Sequence, residues 1–232
     1  MRSSDDGADE RLPDRIAEGT EGSHNMKVLL VNGSPHEHGC TYTALKEAAD
    51  TLEKNGIEAE IMWIGKDAMY GCSACGYCKR SGKGCIRKDS VNDVLERIDS
   101  IDGFVFGAPV YYSGPDGQLT AWMDRLFYAS VGRMAGKVAA SVVSCRRGGA
   151  SAAFERLNQY YLMSRMIVPG ATYWNQVHGD TPDEVRQDLE GMQNMRILAG
   201  YIAWILKCID AGRKAGVPAP PSEAKVFTNF IR

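Results

Sequence analysis

Lys27-Val28-Leu29-Leu30-Val31-Asn32-Gly33-Ser34-Pro35-His36-Glu37-His38-Gly39-Cys40-Thr41-Tyr42 is the stretch on which the reading of this 232-residue chain turns. Val28 to Val31 is a short run of β-branched and aliphatic residues, the composition of a buried strand. Asn32-Gly33-Ser34-Pro35 stops it, and Gly39-Cys40-Thr41 leads into Ala44, Leu45, Ala48, Ala49 and Leu52 at helical spacing. Strand, tight turn and helix in that order bring the loop's N–H groups and hydroxyls to the positive end of a helix dipole, where a phosphate is attracted. No Gly-x-Gly-x-x-Gly follows the strand and no Gly-Lys-Ser/Thr closes the loop. The loop offers the hydroxyls of Ser34 and Thr41 and neither Lys nor Arg, which suits a monoester phosphate such as that of FMN. The same residues also read as a strand–turn–helix whose Ser and Thr only cap the helix.

Outward from this stretch the rhythm repeats. Glu58 to Ile64 reads as a second strand, Gly103 to Gly107 as a third, and Val138 to Val143 as a fourth. Ile167-Val168 and Ala171 to Trp174 are the candidates for the last. Helical spacing falls at Val91 to Ile98, Gln118 to Ala129 and Ala152 to Met163, with 70–90 as a long loop. Alternating strands and helices imply a parallel sheet with right-handed crossovers, and the expectation is a flavodoxin-like, doubly wound, five-stranded α/β fold. Three strand-end loops, after Val31, Phe106 and Val143, converge on the edge where such sheets bind ligands. The domain is expected over 26–178. Residues 179–232 form a helical extension with a docking tail that ends in Phe227, Phe230 and Ile231.

Composition is ordinary for a globular chain, 44% hydrophobic and 24% charged, with net charge −2. That balance argues against nucleic acid or an anionic membrane as partner. Residues 1–25 hold three Arg against seven acids and almost nothing apolar, so they read as a disordered acidic leader, with Met26 an alternative start. They lack the basic start and apolar run of a signal peptide. No run reaches membrane-spanning length, so a cytoplasmic location is expected.

Cys72-x-x-Cys75-x-x-Cys78, six residues and then Cys85 is the most informative short pattern. Two successive Cys-x-x-Cys steps suit the corners of a cuboidal cluster, whereas structural zinc usually takes two separated pairs. Lys79, Arg80, Lys83, Arg87 and Lys88 are expected to lower the thiol pKa values. Free thiols or a Cys-x-x-Cys disulfide are the alternative reading. Cys40, Cys145 and Cys208 fall outside the group.

Gly33-Ser34-Pro35 with Gly39-Cys40-Thr41, Pro109-Val110-Tyr111-Tyr112 and Asp124-Arg125 resemble the flavodoxin-like NAD(P)H-dependent FMN reductases, in particular their iron–sulfur flavoprotein branch. The resemblance implies FMN, NAD(P)H as co-substrate, a [4Fe–4S] cluster on Cys72, Cys75, Cys78 and Cys85, and a homodimer or dimer of dimers. It implies that Ser34, His36, Cys40 and Thr41 meet the FMN phosphate, and that Pro109, Val110, Tyr111, Tyr112 and Gly114 flank the isoalloxazine and ribityl chain. Arg146 and Arg147 would face the flavin's pyrimidine edge. His36 followed by Glu37 departs from the basic residue often found there, and Cys40 from an Asn. The implied partners are a nicotinamide cofactor and a small-molecule or protein electron acceptor such as a quinone or flavin. No catalytic side chain is expected, because hydride transfer to flavin needs none. A flavodoxin-like electron carrier and a zinc-stabilised module without flavin are the rival functions.

Overall fold

A computed structural model describes residues 25–221 and, beyond them, 223, 226 and 228. All of the expected leader except Asn25, and the expected docking residues Phe227, Phe230 and Ile231, lie outside the described residues. The strands are β1 (Lys27–Asn32), β2 (Glu58–Trp63), β3 (Gly103–Tyr111), β4 (Gly114–Pro115), β5 (Val138–Cys145) and β6 (Gln176–His178). The helices are α1 (Cys40–Lys54), α2 (Tyr77–Ser81), α3 (Ser90–Arg97), α4 (Gly117–Ala129), α5 (Ala150–Met163), α6 (Pro182–Gln187) and α7 (Leu189–Lys214). Five strands run parallel in the order β2-β1-β3-β5-β6, with β4 turned back antiparallel on β3. This is the doubly wound sheet expected from the sequence.

The central strands β1, β3 and β5 are mostly apolar because both faces of the sheet are covered there. Val28, Leu30, Val105, Ala140 and Val142 face α1 (Leu45, Ala48, Leu52) and α7 (Met195, Leu198, Ile202). Their neighbours Leu29, Val31, Phe104, Phe106 and Val143 face α3, α4 and α5. The period-two alternation of side chains produces this division. α7 is thus the second helix of α1's layer; its buried positions end at Leu206, and the following turns reach past the core. Among the described residues no helix is long and apolar enough to cross a membrane.

The last strand differs from expectation. Ala171 to Trp174 form no strand; the edge is split, with Ile167 bridging Val138 and β6 pairing with Val143–Cys145. Pro169 lies between the two pieces, and without an N–H it cannot continue the ladder. β3 also runs four residues beyond its expected end. Tyr112 and Ser113 then turn the chain with φ of 50° and 62°, the sign that tight hairpin turns require at both central positions.

Phe106 is the aromatic centre of the α3–α4–α5 side, stacked on Tyr161 at 5.6 Å and Phe104 at 5.7 Å, with Phe127 at 5.8 Å. Phe106→Ala should cost about 3–5 kcal/mol, read as a lower urea midpoint at an unchanged slope.

Candidate active site

All parallel strands end at one edge, and the helices that start there fall into two groups. α3, α4, α6 and α7 begin with Asp89, Asp116, Thr181 and Asp188, each accepting a hydrogen bond from its own first turn. The short α2 begins with Gly76 and has no side-chain cap, and neither do α1 and α5, which begin with Gly39 and Gly149. These two helices follow β1 and β5, on either side of β3. Their first-turn N–H groups are left for a partner outside the helix.

The loop before α1 is shaped by its own polar groups. Asn32 accepts from the Ser34 N–H (3.1 Å) and donates to the Glu37 carbonyl (2.9 Å), while the Ser34 hydroxyl accepts from the His36 N–H (3.1 Å). Trp63, at the end of β2, donates its indole N–H to the Ser34 carbonyl at 2.7 Å. Thr41 is buried, and its hydroxyl bonds Ser144 of β5 at 2.7 Å. Its hydroxyl is therefore engaged within the fold, and what it presents to the loop is its backbone N–H. His36 is exposed on the rim of an open pocket that Pro35, Cys40, Trp63, Lys66 and Asp180 also line. Burial pushes the Cys40 thiol pKa up, and its Sγ lies 3.7 Å from the Gly179 carbonyl.

Pro109, Val110 and Gly114 are half-buried in the β3–β4 hairpin, and Tyr111 and Tyr112 stand at its exposed tip. A Cβ on Gly149 would come within 2.9 Å of Ser113 Cα, so the hairpin and the start of α5 close together. Arg146 and Arg147, just before that start, are exposed. The structure thus brings the phosphate-loop, hairpin and arginine residues to one edge. Amide donors, a serine hydroxyl, flat aromatic rims and a nearby cation pair fit a phosphorylated flavin.

The cysteine loop leaves β2 at this same edge. Cys72, Cys75, Cys78 and Cys85 line one pocket with Arg87, Arg125 and Tyr128. Among the described residues no three His, Cys, Asp or Glu side chains converge closely enough to hold a single metal ion. A four-iron cluster asks less convergence, since each thiolate binds a different iron; the donor set fits that group better than one zinc ion. At Cys75 the pKa is lowered, first by the Tyr77 N–H, with Arg80 a lesser cause. At Cys78 it is raised by burial and then by the neighbouring Cys85 and Cys72, against the expectation that nearby cations would lower it. Two of those cations are turned onto aromatic rings, Lys79 over Tyr128 (5.2 Å) and Arg87 over Tyr70 (4.3 Å).

The family described as NADPH-dependent FMN reductase matches residues 26–180. The chain belongs to that family, as an FMN-dependent oxidoreductase of the FMN reductase type. It is 31% identical over 192 residues to an iron-sulfur flavoprotein of Methanocaldococcus jannaschii, covering 79% of this chain and 99% of that one. It also resembles the solved structure of RosB with a bound riboflavin-phosphate derivative (TM-score 0.61, 19% identity, 89% of this chain and 94% of that chain). An NAD(P)H:quinone oxidoreductase from Methanothermobacter marburgensis shares the fold as well (TM-score 0.57, 18% identity, 75% and 96%).

Several residues of this edge carry no motif. Ser144, Trp63 and Asn92 act through contacts across the fold that sequence spacing does not record, and the Asp124-Arg125 pair marks Arg125 without showing its contacts. Asp116 leaves a local signal, an acid just before a helix. It caps α4 through the Leu119 N–H (2.9 Å), while its other oxygen is buried with no partner. Burial pushes its pKa up to about 6. Between about pH 4 and 6 the folded chain therefore holds a proton that the unfolded chain releases, so stability falls as pH rises through that window. Asp116→Asn should remove this slope and raise stability at pH 7 by about 3 kcal/mol, read as melting temperature against pH.

Proposed function

We propose that this chain takes reducing equivalents from NAD(P)H and delivers them to a quinone, flavin or protein acceptor, with FMN and a [4Fe–4S] cluster bound at one edge of the sheet. The observation that carries this reading is the placement of all four loop cysteines around one pocket, at the edge where the uncapped helices α1 and α5 begin. The name borne by the Methanocaldococcus relative supports it.

Bound FMN supplies two-electron uptake from a nicotinamide and one-electron release. The chain's own residues bind and orient. Ser34, the first-turn N–H groups of α1 that include those of Cys40 and Thr41, and His36 at the rim hold the phosphate, with the helix dipole favouring its charge. Pro109, Val110, Tyr111, Tyr112 and Gly114 flank the ring and ribityl chain. Arg146 and Arg147 favour added negative charge at the pyrimidine edge. Cys72, Cys75, Cys78 and Cys85 supply one thiolate to each iron. The 26–178 domain and its helical extension act as one flavin-binding unit. Tyr112, fully exposed in a single chain, supports a homodimer in which a second copy closes over the hairpin.

Protein purified without oxygen should show flavin absorption over a broad brown shoulder, with iron and acid-labile sulfide near four per chain (~4, the full-cluster expectation). Cys78→Ser should lose most of the iron and keep FMN. Flavin without iron in the wild-type protein removes the cluster from the reading. Failure to oxidise NADH or NADPH without a partner reductase would make the chain an electron carrier, and colourless protein with stoichiometric zinc would sink the reading altogether.

A further inference from the structure

Arg125 belongs to α4, two turns beyond the hairpin, and is 2% exposed although it carries a permanent charge. A buried guanidinium persists only where its donors are met. Its two terminal nitrogens make a bidentate pair with Asp89 at 2.6 and 2.8 Å and reach the Tyr70 and Arg87 carbonyls at 3.5 and 3.4 Å. One of them also lies 3.5 Å from Met69 Sδ. That set would suffice to pin the cysteine loop to α4. The remaining donor, Nε, is aimed elsewhere: it donates to Cys85 Sγ at 3.4 Å.

Cys85 is held from its other side too. Asn92 of α3, itself buried, accepts from the Cys85 N–H (2.8 Å) and donates to its carbonyl (3.0 Å). Main chain and sulfur of this one cysteine are fixed by protein contacts alone, whereas Cys72 and Cys75 stand exposed. The loop therefore has one ligand set in advance and others that need ordering.

We propose that Arg125 is the positioning residue of the cysteine site: by donating Nε–H to the Cys85 sulfur it fixes that ligand and raises the reduction potential of the cluster bound there. This rests on the cluster reading above. An N–H donor and a buried cation beside a ligand sulfur stabilise the more negative, reduced state, so hydrogen bonds to the sulfurs set cluster potential. Lys cannot replace Arg here, because one ammonium cannot span both the Asp89 carboxylate and the Cys85 sulfur.

Three anaerobically purified proteins decide the question: wild type, Arg125→Lys and Asp89→Asn, each assayed for iron and sulfide and titrated for cluster potential. Arg125→Lys keeps the positive charge and loses the directed donor. It should shift the potential downward by about 59 mV, a tenfold change for one electron. Asp89→Asn keeps Nε and removes a negative charge, so its potential should not fall below wild type. Should Arg125 be only a clamp, both variants would lose iron alike while the remaining cluster kept the wild-type potential, and the inference is overturned. If Arg125→Lys does not fold, wild-type protein labelled with 15N-arginine answers instead: a nitrogen coupling to the reduced cluster is expected in pulsed paramagnetic resonance, and its absence overturns the inference. A wild-type protein without iron overturns the cluster reading and this inference with it; full iron with an unchanged Arg125→Lys potential overturns the inference alone.

Discussion

The working edge of the sheet depends on how closely β1 and β3 leave it side by side. The Gly33 N–H bonds the Gly107 carbonyl at 2.9 Å, just past the last residue of β1. A Cβ on Gly33 would fall 2.6 Å from Leu119 Cβ, and one on Gly107 2.7 Å from Leu45 Cδ1. Neither glycine has a positive φ, so what both positions demand is space and not conformational freedom. The phosphate loop can therefore lie against α4, and α1 can sit low over β3. Any side chain here would lift the loop from the sheet and separate the uncapped start of α1 from the hairpin.

From that contact the two candidate cofactor regions are joined by a short series of polar ties. The Trp63 indole links the phosphate loop to the end of β2, where the cysteine crossover departs. Gln118 of α4 donates to the Gly65 carbonyl at the start of that crossover, and Arg125, two turns on, grips its far end. α4 itself begins where the hairpin ends, capped by Asp116. The aromatic hairpin and the cysteine loop are thus attached to the same rigid helix, so their separation is set by packing and not by the stiffness of either loop. The net is built from few groups, of which Arg125 and Asp116 are buried. Leaving Arg125 without Asp89 strands a buried charge, a cost of about 3–5 kcal/mol in comparable sites.

How much of this is legible in the sequence follows from the range of the interactions. β1, its loop and α1 could be read from Val28 to Leu52 because strand, turn and helix are consecutive there and their signals are local. The parallel, doubly wound character of the sheet followed from alternation. The edge strand did not: Ala171 to Trp174 has the better composition, but pairing is decided by where Pro169 breaks the ladder and by the reach of Cys145. The Tyr112–Ser113 turn was hidden for a different reason, since neither residue is one that a tight hairpin normally selects. The hydroxyl of Thr41 pointed to a ligand, yet it is met by Ser144, 103 residues away in sequence. The cysteine spacing was legible and its cations were not, because Tyr70 and Tyr128 draw Arg87 and Lys79 aside.

The β2–α3 crossover has a further meaning for how such a chain can change over time. No strand of the sheet passes through residues 65–89, and the segment's ties to the domain run through Gln118, Asn92, Arg125, the Lys79 contact on Tyr128 and a few apolar contacts. It behaves as a cassette spliced between two fixed posts, the end of β2 and the start of α3. Lineages can shorten it, empty it of thiols or refit it without redrawing the sheet or the loop between β1 and α1. Selection on this segment is thereby uncoupled from selection on the loop between β1 and α1.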